Sequence, residues 1–147
     1  GNSRVISTIR AHLGDEMTNN ILASLYIIRS DLSITVRQIA LQVWKSVVSN
    51  TPRVLKEIMP YLVQQIISML SSDNNELRQV TGKALGEVVM KLGDSILPVI
   101  VPQLQAALIS EEESMRQGVC IGLSEILQAC SKRQVEEYIH VFVPALE

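Results

Sequence analysis

The sequence predicts an all-α protein: a solenoid of stacked antiparallel helix pairs winding into a right-handed superhelix. Three observations predict it. Composition is the first: 47% of the 147 residues are hydrophobic and only 3% aromatic, so the core is built from Leu, Ile, Val and Ala. Periodicity is the second: apolar residues recur at helical spacing along the whole chain, and no stretch alternates convincingly as a half-buried strand would. The third is an internal repeat. VRQIALQVWKSVV from Val36, LRQVTGKALGEVV from Leu77 and MRQGVCIGLSEIL from Met115 align in register, each opening on an apolar residue, Arg and Gln. Arg37, Arg78 and Arg116 are therefore 41 and 38 residues apart.

The elements follow from local punctuation. Helix 3–13 stops at Gly14, a C′ glycine followed by Asp15 as a cap. Helix 16–29 comes next. Asp31 and Ser33 cap helix 33–49, which carries Val36, Ile39, Ala40, Val43 and Val47 on one face. Thr51 is an N-cap and Pro52 the first residue of helix 53–71. Asp73 and Glu76 have capping-box spacing at the head of helix 74–92. Gly93-Asp94 repeats the stop and start of 14–15 before helix 95–109. Helix 112–130 holds the third repeat, and Ser131 with Gln134 forms a capping box for helix 132–146. Pro60, Pro98, Pro102 and Pro144 fall inside helical patterns and predict kinks, because each removes a donor and crowds the preceding turn.

The count is three pairs, 16–49, 53–92 and 95–130, with an unpaired helix at 3–13 and another at 132–146. A period near 40 with two helices per unit is the HEAT or armadillo signature; two helices, a proline in the first and an arginine near the start of the second favour HEAT. The last helix presents Val135, Ile139, Phe142 and Val143 with no following partner. The chain thus reads as a single segment cut from a longer array, with open ends through which it can self-associate.

Two positions in this pattern run against helix propensity. Gly118 and Gly122 stand where the first repeat has Ile39 and Val43, and each interior glycine costs about 1 kcal/mol relative to Ala. Close approach of a packed helix offsets that cost; a backbone-exposed docking groove is the alternative reading. Gly82 and Gly86 form a similar pair on a different stripe. Arg37, Arg78 and Arg116, with the acids that precede them (Asp31, Asp73 and the run Glu111-Glu112-Glu113), resemble the structural ladder of HEAT repeats, in which the Arg of one unit bridges to the acid of a neighbour. Those acids also sit near helix N-termini, which favour negative charge.

Catalytic chemistry is close to absent. His12 and His140 lie at opposite ends of the chain. TGKALGEV lacks the spacer and Ser/Thr of a phosphate-binding loop, and GLSE at 122–125 lacks the second glycine of a nucleophile elbow. No cofactor or metal is expected, and the chain is not expected to be an enzyme. A net charge of −2 gives no general attraction to nucleic acid or anionic lipid, so DNA and membrane are not expected partners. The most apolar stretch, SILPVIVPQLQAALI, is too short to span a bilayer. Cys120 and Cys130 read as free, buried thiols of a reducing compartment. Binding remains. Gln42, Lys45, Lys83, Glu87 and Glu125 are the exposed candidates on second helices, with Arg53, Lys56, Lys132 and Arg133 on first helices or their starts. Of these, Gln42, Lys45, Arg53, Lys56, Lys83 and Glu87 form the candidate partner-contact surface.

The strings SLYIIRSD (24–31), VRQIALQVWKSVVSNTPRVLKEIMP (36–60), GKALGEVVMKLGDSILPVIVPQL (82–104) and RQGVCIGLSEIL (116–127) resemble one family. It is the family of very large HEAT-repeat translational activators called general control nonderepressible one. The resemblance covers most of the chain and is weakest before residue 20 and after about 130. It implies a non-catalytic, cytoplasmic, ribosome-associated scaffold that helps the kinase of the alpha subunit of initiation factor two respond to uncharged tRNA and stalled ribosomes. The ribosome and that kinase, through its RWD domain, are the implied partners. It also implies a place in the C-terminal half of such a protein and carries over no named binding residue. Periodicity alone equally fits a generic HEAT adaptor of the transport-receptor or phosphatase-scaffold type.

Overall fold

A computed structural model describes residues 2–137, with side chains from Val5 onward. They form α1 (Asn2–Leu13), α2 (Asp15–Ile28), α3 (Ile34–Val47), α4 (Thr51–Leu70), α5 (Asn75–Ala107) and α6 (Glu113–Ala129). Residues 132–137 open a further helix, α7. No strand occurs among the described residues, so the all-α reading holds. His140, Ile139, Phe142, Val143 and Pro144 lie outside them.

The starts of α3, α4, α5 and α7 follow the capping rule that an oxygen-bearing side chain accepts from the amide three residues on, whereas the cap positions of α2 and α6, Gly14 and Glu112, make no side-chain cap bond. Ser33 accepts from the Val36 N–H at 3.4 Å. Two caps fall one residue from where the sequence placed them. Asn50, not Thr51, caps α4 by accepting from the Arg53 N–H at 3.1 Å. Asn74, not Asp73, caps α5 by accepting from the Leu77 N–H at 3.1 Å. Either amide side chain does the work of the expected hydroxyl or carboxylate. The Ser131–Gln134 box is reciprocal, with the Ser131 N–H on Gln134 Oε1 at 3.0 Å and the Gln134 N–H on Ser131 Oγ at 3.2 Å.

The two Gly-Asp punctuation marks differ physically. Gly14 has φ 84°, a conformation that favours glycine, and it separates α1 from α2. Gly93 has no positive φ. There the backbone departs from helix at Leu92 (φ −136°, ψ 36°), so α5 is two helical arms meeting at a kink. A Cβ on Gly93 would meet only the flexible end of the Gln134 side chain, whose amide would have to move aside. The prolines do not mark the breaks. Pro60 sits inside α4, and in α5 the non-helical residue is Leu92, not Pro98 or Pro102. All three prolines are exposed, where water can satisfy the carbonyls they release.

The chain divides into two compact units, Gly1–Gln65 and Ile66–Glu147. In the first, α2 buries Leu22, Ala23, Tyr26 and Ile27, α3 buries Ala40 and Trp44, and α4 buries Leu55, Ile58 and Leu62. Each fully buried Leu or Ile contributes about 1.5–3 kcal/mol. Tyr26 and Trp44 meet edge to face, 5.3 Å between centroids. A polar staple joins α4 to α2: Gln65 Nε2 donates to the Asn20 carbonyl at 3.0 Å, and Ser24 Oγ donates to Gln65 Oε1 at 2.9 Å. The expected core face of α3 is only partly right. Val36, Ile39 and Val43 are exposed, and the stripe that turns inward is Ala40–Trp44, followed by Val48 beyond the helix end.

In the second unit Leu70, Leu85, Val88, Ile96, Leu97, Ile100, Leu104, Leu123 and Ile126 are buried. Here the stripe that is exposed in α3 is covered: Val80 and Ala84 of α5, and Gly118 and Gly122 of α6, are all buried. Gly118 lies so near the end of α4 that a Cβ would overlap the carbonyl group of Leu70. At Gly122 a Cβ would stand 3.0 Å from Leu70 Cδ1 and 3.7 Å from the Leu104 methyls. Gly82 and Gly86 face α6 differently: a Cβ at either would meet the flexible side chain of Glu125, and at Gly82 it would also stand 3.2 Å from Ile121 Cγ2.

Backbone cannot yield where a side-chain end can. Gly118→Ala should therefore destabilise the chain by about 1–3 kcal/mol through overpacking. Gly86→Ala should be near neutral, because the one atom a Cβ there would crowd, Glu125 Oε2 at 3.3 Å, can swing aside and the helix gains about 1 kcal/mol of propensity. Urea melts of the two variants check the contrast; equal shifts would contradict the packing described.

Candidate functional site

The repeated arginines hold one geometry three times. Each stands four residues after a helix cap, Ser33, Asn74 or Glu112. Each reaches back over the helix start to a carbonyl six residues upstream: Arg37 Nη1 to Asp31 O at 2.7 Å, Arg78 Nη1 to Ser72 O at 3.0 Å, and Arg116 Nη1 to Ser110 O at 2.9 Å. The residue supplying that carbonyl uses its side-chain oxygen as well. It accepts the cap N–H, at 2.9 Å for Asp31, 3.1 Å for Ser72 and 3.2 Å for Ser110. One residue thus closes the connection from both sides, and the arginine clips it to the following helix.

This corrects the expected ladder. The clip ends on carbonyl oxygens, and no ion pair joins Arg37, Arg78 or Arg116 to an acid among the described residues. Asp31 takes part, through its carbonyl and its cap bond. Asp73 does not; Ser72 stands in its place. Glu111 contributes a second carbonyl to Arg116 at 3.0 Å. Connections expose backbone acceptors that helices do not, so a guanidinium finds carbonyls closer than carboxylates.

Other polar groups were not singled out by the sequence. Arg29 lies over the Tyr26 ring at 4.7 Å and the Trp44 ring at 5.5 Å. Its Nε and Nη1 are buried without a hydrogen-bond acceptor. The signal was present, since Tyr26 and Arg29 are three apart on one helix face. The Trp44 indole N–H donates to Thr51 Oγ1 at 3.0 Å, so Trp44 ties α3 to the head of α4 while filling the core.

The candidate contact residues are distributed over both units. Gln42, Lys45, Arg53 and Lys56 are exposed on the first, with Arg53 paired to Glu57 at 3.5 Å; Lys83 is exposed and Glu87 half-buried on the second. Leu13, Met17, Ile21 and Ile28 line an open apolar groove of about 730 Å³ along α2. Cys120 is exposed, against the expectation of two buried thiols, while partial burial raises the Cys130 thiol above its ordinary pKa. Among the described residues no three His, Cys, Asp or Glu side chains are placed to hold a metal ion, and no helix is long and apolar enough to cross a membrane.

At the kink, Asp94 receives Arg133 Nη2 at 2.7 Å and Gln134 Nε2 at 3.1 Å. The bond from Arg133, then that from Gln134, holds its carboxyl below the ordinary carboxylate range. A carboxyl lowered by folding stabilises the folded state above its unfolded pKa, and that contribution is lost as pH falls through the folded value.

Two measurements follow from this geometry. Arg78 is nine-tenths buried, so Arg78→Ala strands the Ser72 carbonyl and should cost about 1–3 kcal/mol. Arg116→Ala, at an exposed site, should cost less than about 1 kcal/mol; equal melting shifts would contradict the burial difference. In NMR, the Gln134 side-chain amide signal should move on acidification below the ordinary carboxylate range of about 3.9. It should not do so in Asp94→Asn, and an unchanged profile in that variant would rule out Asp94 as the titrating group.

Comparison with known proteins places the sequence. Residues 30–111 match the family described as U3 small nucleolar RNA-associated protein 20 domain. The chain is 48% identical over 138 residues to the eIF-2-alpha kinase activator GCN1 of Dictyostelium discoideum, covering 94% of this chain. It is 44% identical over 144 residues to the human stalled ribosome sensor GCN1, covering 98%, and 38% identical over 127 residues to the GCN1 of Saccharomyces cerevisiae, covering 86%. It spans only 5% of the length of each of these relatives. No solved structure gives a significant match. The chain is similar to one short segment of the proteins named GCN1, and it belongs to the family of U3 small nucleolar RNA-associated protein 20 domains.

Proposed function

We propose that this chain is a non-catalytic scaffold segment of a ribosome-associated translational activator. The whole protein would help activate the kinase of initiation factor two alpha under amino-acid starvation or ribosome stalling, in the cytoplasm. The observation that carries this reading is the 44–48% identity sustained over 94–98% of the chain to relatives named as that kinase's activator and as a stalled ribosome sensor. The architecture supports it. Helix pairs held by buried apolar contacts and clipped connections keep side chains at fixed positions, which suits holding partners rather than transforming a substrate. Lys56 and Lys83 are exposed cations of the kind that meets ribosomal RNA phosphate.

Co-sedimentation of the chain with ribosomes and collided ribosome pairs tests the ribosome contact. Pelleting that survives physiological salt and weakens in the charge reversals Lys56→Glu and Lys83→Glu is expected. Failure to pellet at any salt, together with no binding to the kinase's RWD domain, would overturn partner contact by this segment.

A further inference from the structure

Between the first turns of α5 and α6 lies a groove of about 700 Å³, lined by Asn75, Arg78, Glu113, Arg116, Cys120 and Ile121, with Gln117 at its side. All of these belong to the second unit. We propose that this groove receives one carboxylate side chain of a partner protein, presented beside an apolar residue.

Arg78 carries the argument. Only 9% of its surface is exposed, yet its charge has no counter-ion among the described residues. Its Nη1 is used by the Ser72 carbonyl, and its Nε is buried with no acceptor. What remains for a ligand is Nη2, which has no partner and, unlike Nε, is not enclosed, so it can donate one charge-assisted bond to a carboxylate. A largely buried guanidinium without a counter-ion is costly and favours an anion that the folded chain does not supply. Arg116 lines the same groove and is fixed by its own clip to Ser110 and Glu111. Both cations are thus oriented before any ligand arrives, which spares the entropy of ordering them on binding.

The rest of the lining sets the ligand class. Asn75 and Glu113 are the first residues of their helices, where the helix dipoles add partial positive charge. Within the lining, two guanidiniums face the single carboxylate of Glu113, so the lining itself carries about one unit of positive charge. Glu113 is steadied by Gln117 Nε2 at 3.5 Å, and Glu111 and Glu112 precede it on the exposed connection. A polyphosphate would meet these acids, whereas a lone Asp or Glu side chain would not accumulate charge against them. Half-buried Ile121 and exposed Cys120 offer the apolar contact for a neighbouring residue.

The test titrates the full 147-residue chain, followed by the arginine Nε–H signals in NMR, with N-acetyl-Glu-Leu amide. The glutamine analogue and inorganic phosphate are the controls. The Arg78 Nε–H signal should shift and saturate with the glutamate probe only, and alkylation of Cys120 should slow as it binds. Arg116→Gln, at an exposed position, should weaken the probe by about tenfold with an unchanged melt, as loss of one charge-assisted bond requires. Glu113→Gln should tighten it and admit phosphate. An Arg78 signal unmoved by the glutamate probe, moved equally by the glutamine analogue, or saturated by phosphate in the unsubstituted chain would overturn the proposal. The last of these would assign the groove to a phosphate-bearing ligand such as RNA.

Discussion

How near α6 comes to the end of α4 decides what the second unit can be. A helix normally meets its neighbour through a layer of side chains, and interaxial distances near 8–10 Å reflect that layer. At Gly118 the layer is missing: helix backbone lies against the Leu70 carbonyl. Gly122, one turn on, admits the Leu70 and Leu104 side chains into the space its own side chain would have filled. The buried row Leu85, Val88, Leu123 and Ile126 can then close around them. The two glycines cost helix propensity and return it as contact, the exchange that close-packed interiors reward.

Connections are the second place where this chain spends its polar groups. Between helices the backbone exposes carbonyls that must find donors. The arginine clip answers that need in the same way at three connections, with a small oxygen-bearing residue two positions before the cap and an arginine four positions after it. Conformation of the connection is thereby coupled to the first turn of the next helix. The same device leaves one edge of each guanidinium for other uses. Arg37 and Arg116 keep more of their side chains in solvent, whereas at Arg78 Nε is enclosed and Nη2 is left facing the groove.

The helices, the repeat and the glycine pair were legible because they depend on spacing, which a single sequence displays. The arginines were legible as a repeat but not as clips. Their partners are carbonyls, which every residue possesses, and only the constant spacing of six to Asp31, Ser72 and Ser110 marks them. Caps at Asn50 and Asn74 were missed by one residue because neighbouring Thr51 and Asp73 are equally good cap formers. The exposure of Ile39 and Val43 was not legible at all. Their counterparts Val80 and Ala84, and Gly118 and Gly122, occupy the same register and are buried. Burial of that stripe depends on what lies across from it, which periodicity does not encode. The groove of the second unit likewise arises from two helix starts 38 residues apart, brought side by side only by folding.

Within the second unit the placement of α6 against the end of α4 depends on the glycine contact. Nuclear Overhauser spectroscopy on the unsubstituted chain tests that contact most directly. Strong cross-peaks from the α protons of Gly122 to a Leu70 δ-methyl, and from those of Gly118 to the Leu70 α proton, are the result this account predicts. Their absence, with α6 instead separated from Leu70 by a layer of side chains, would contradict it.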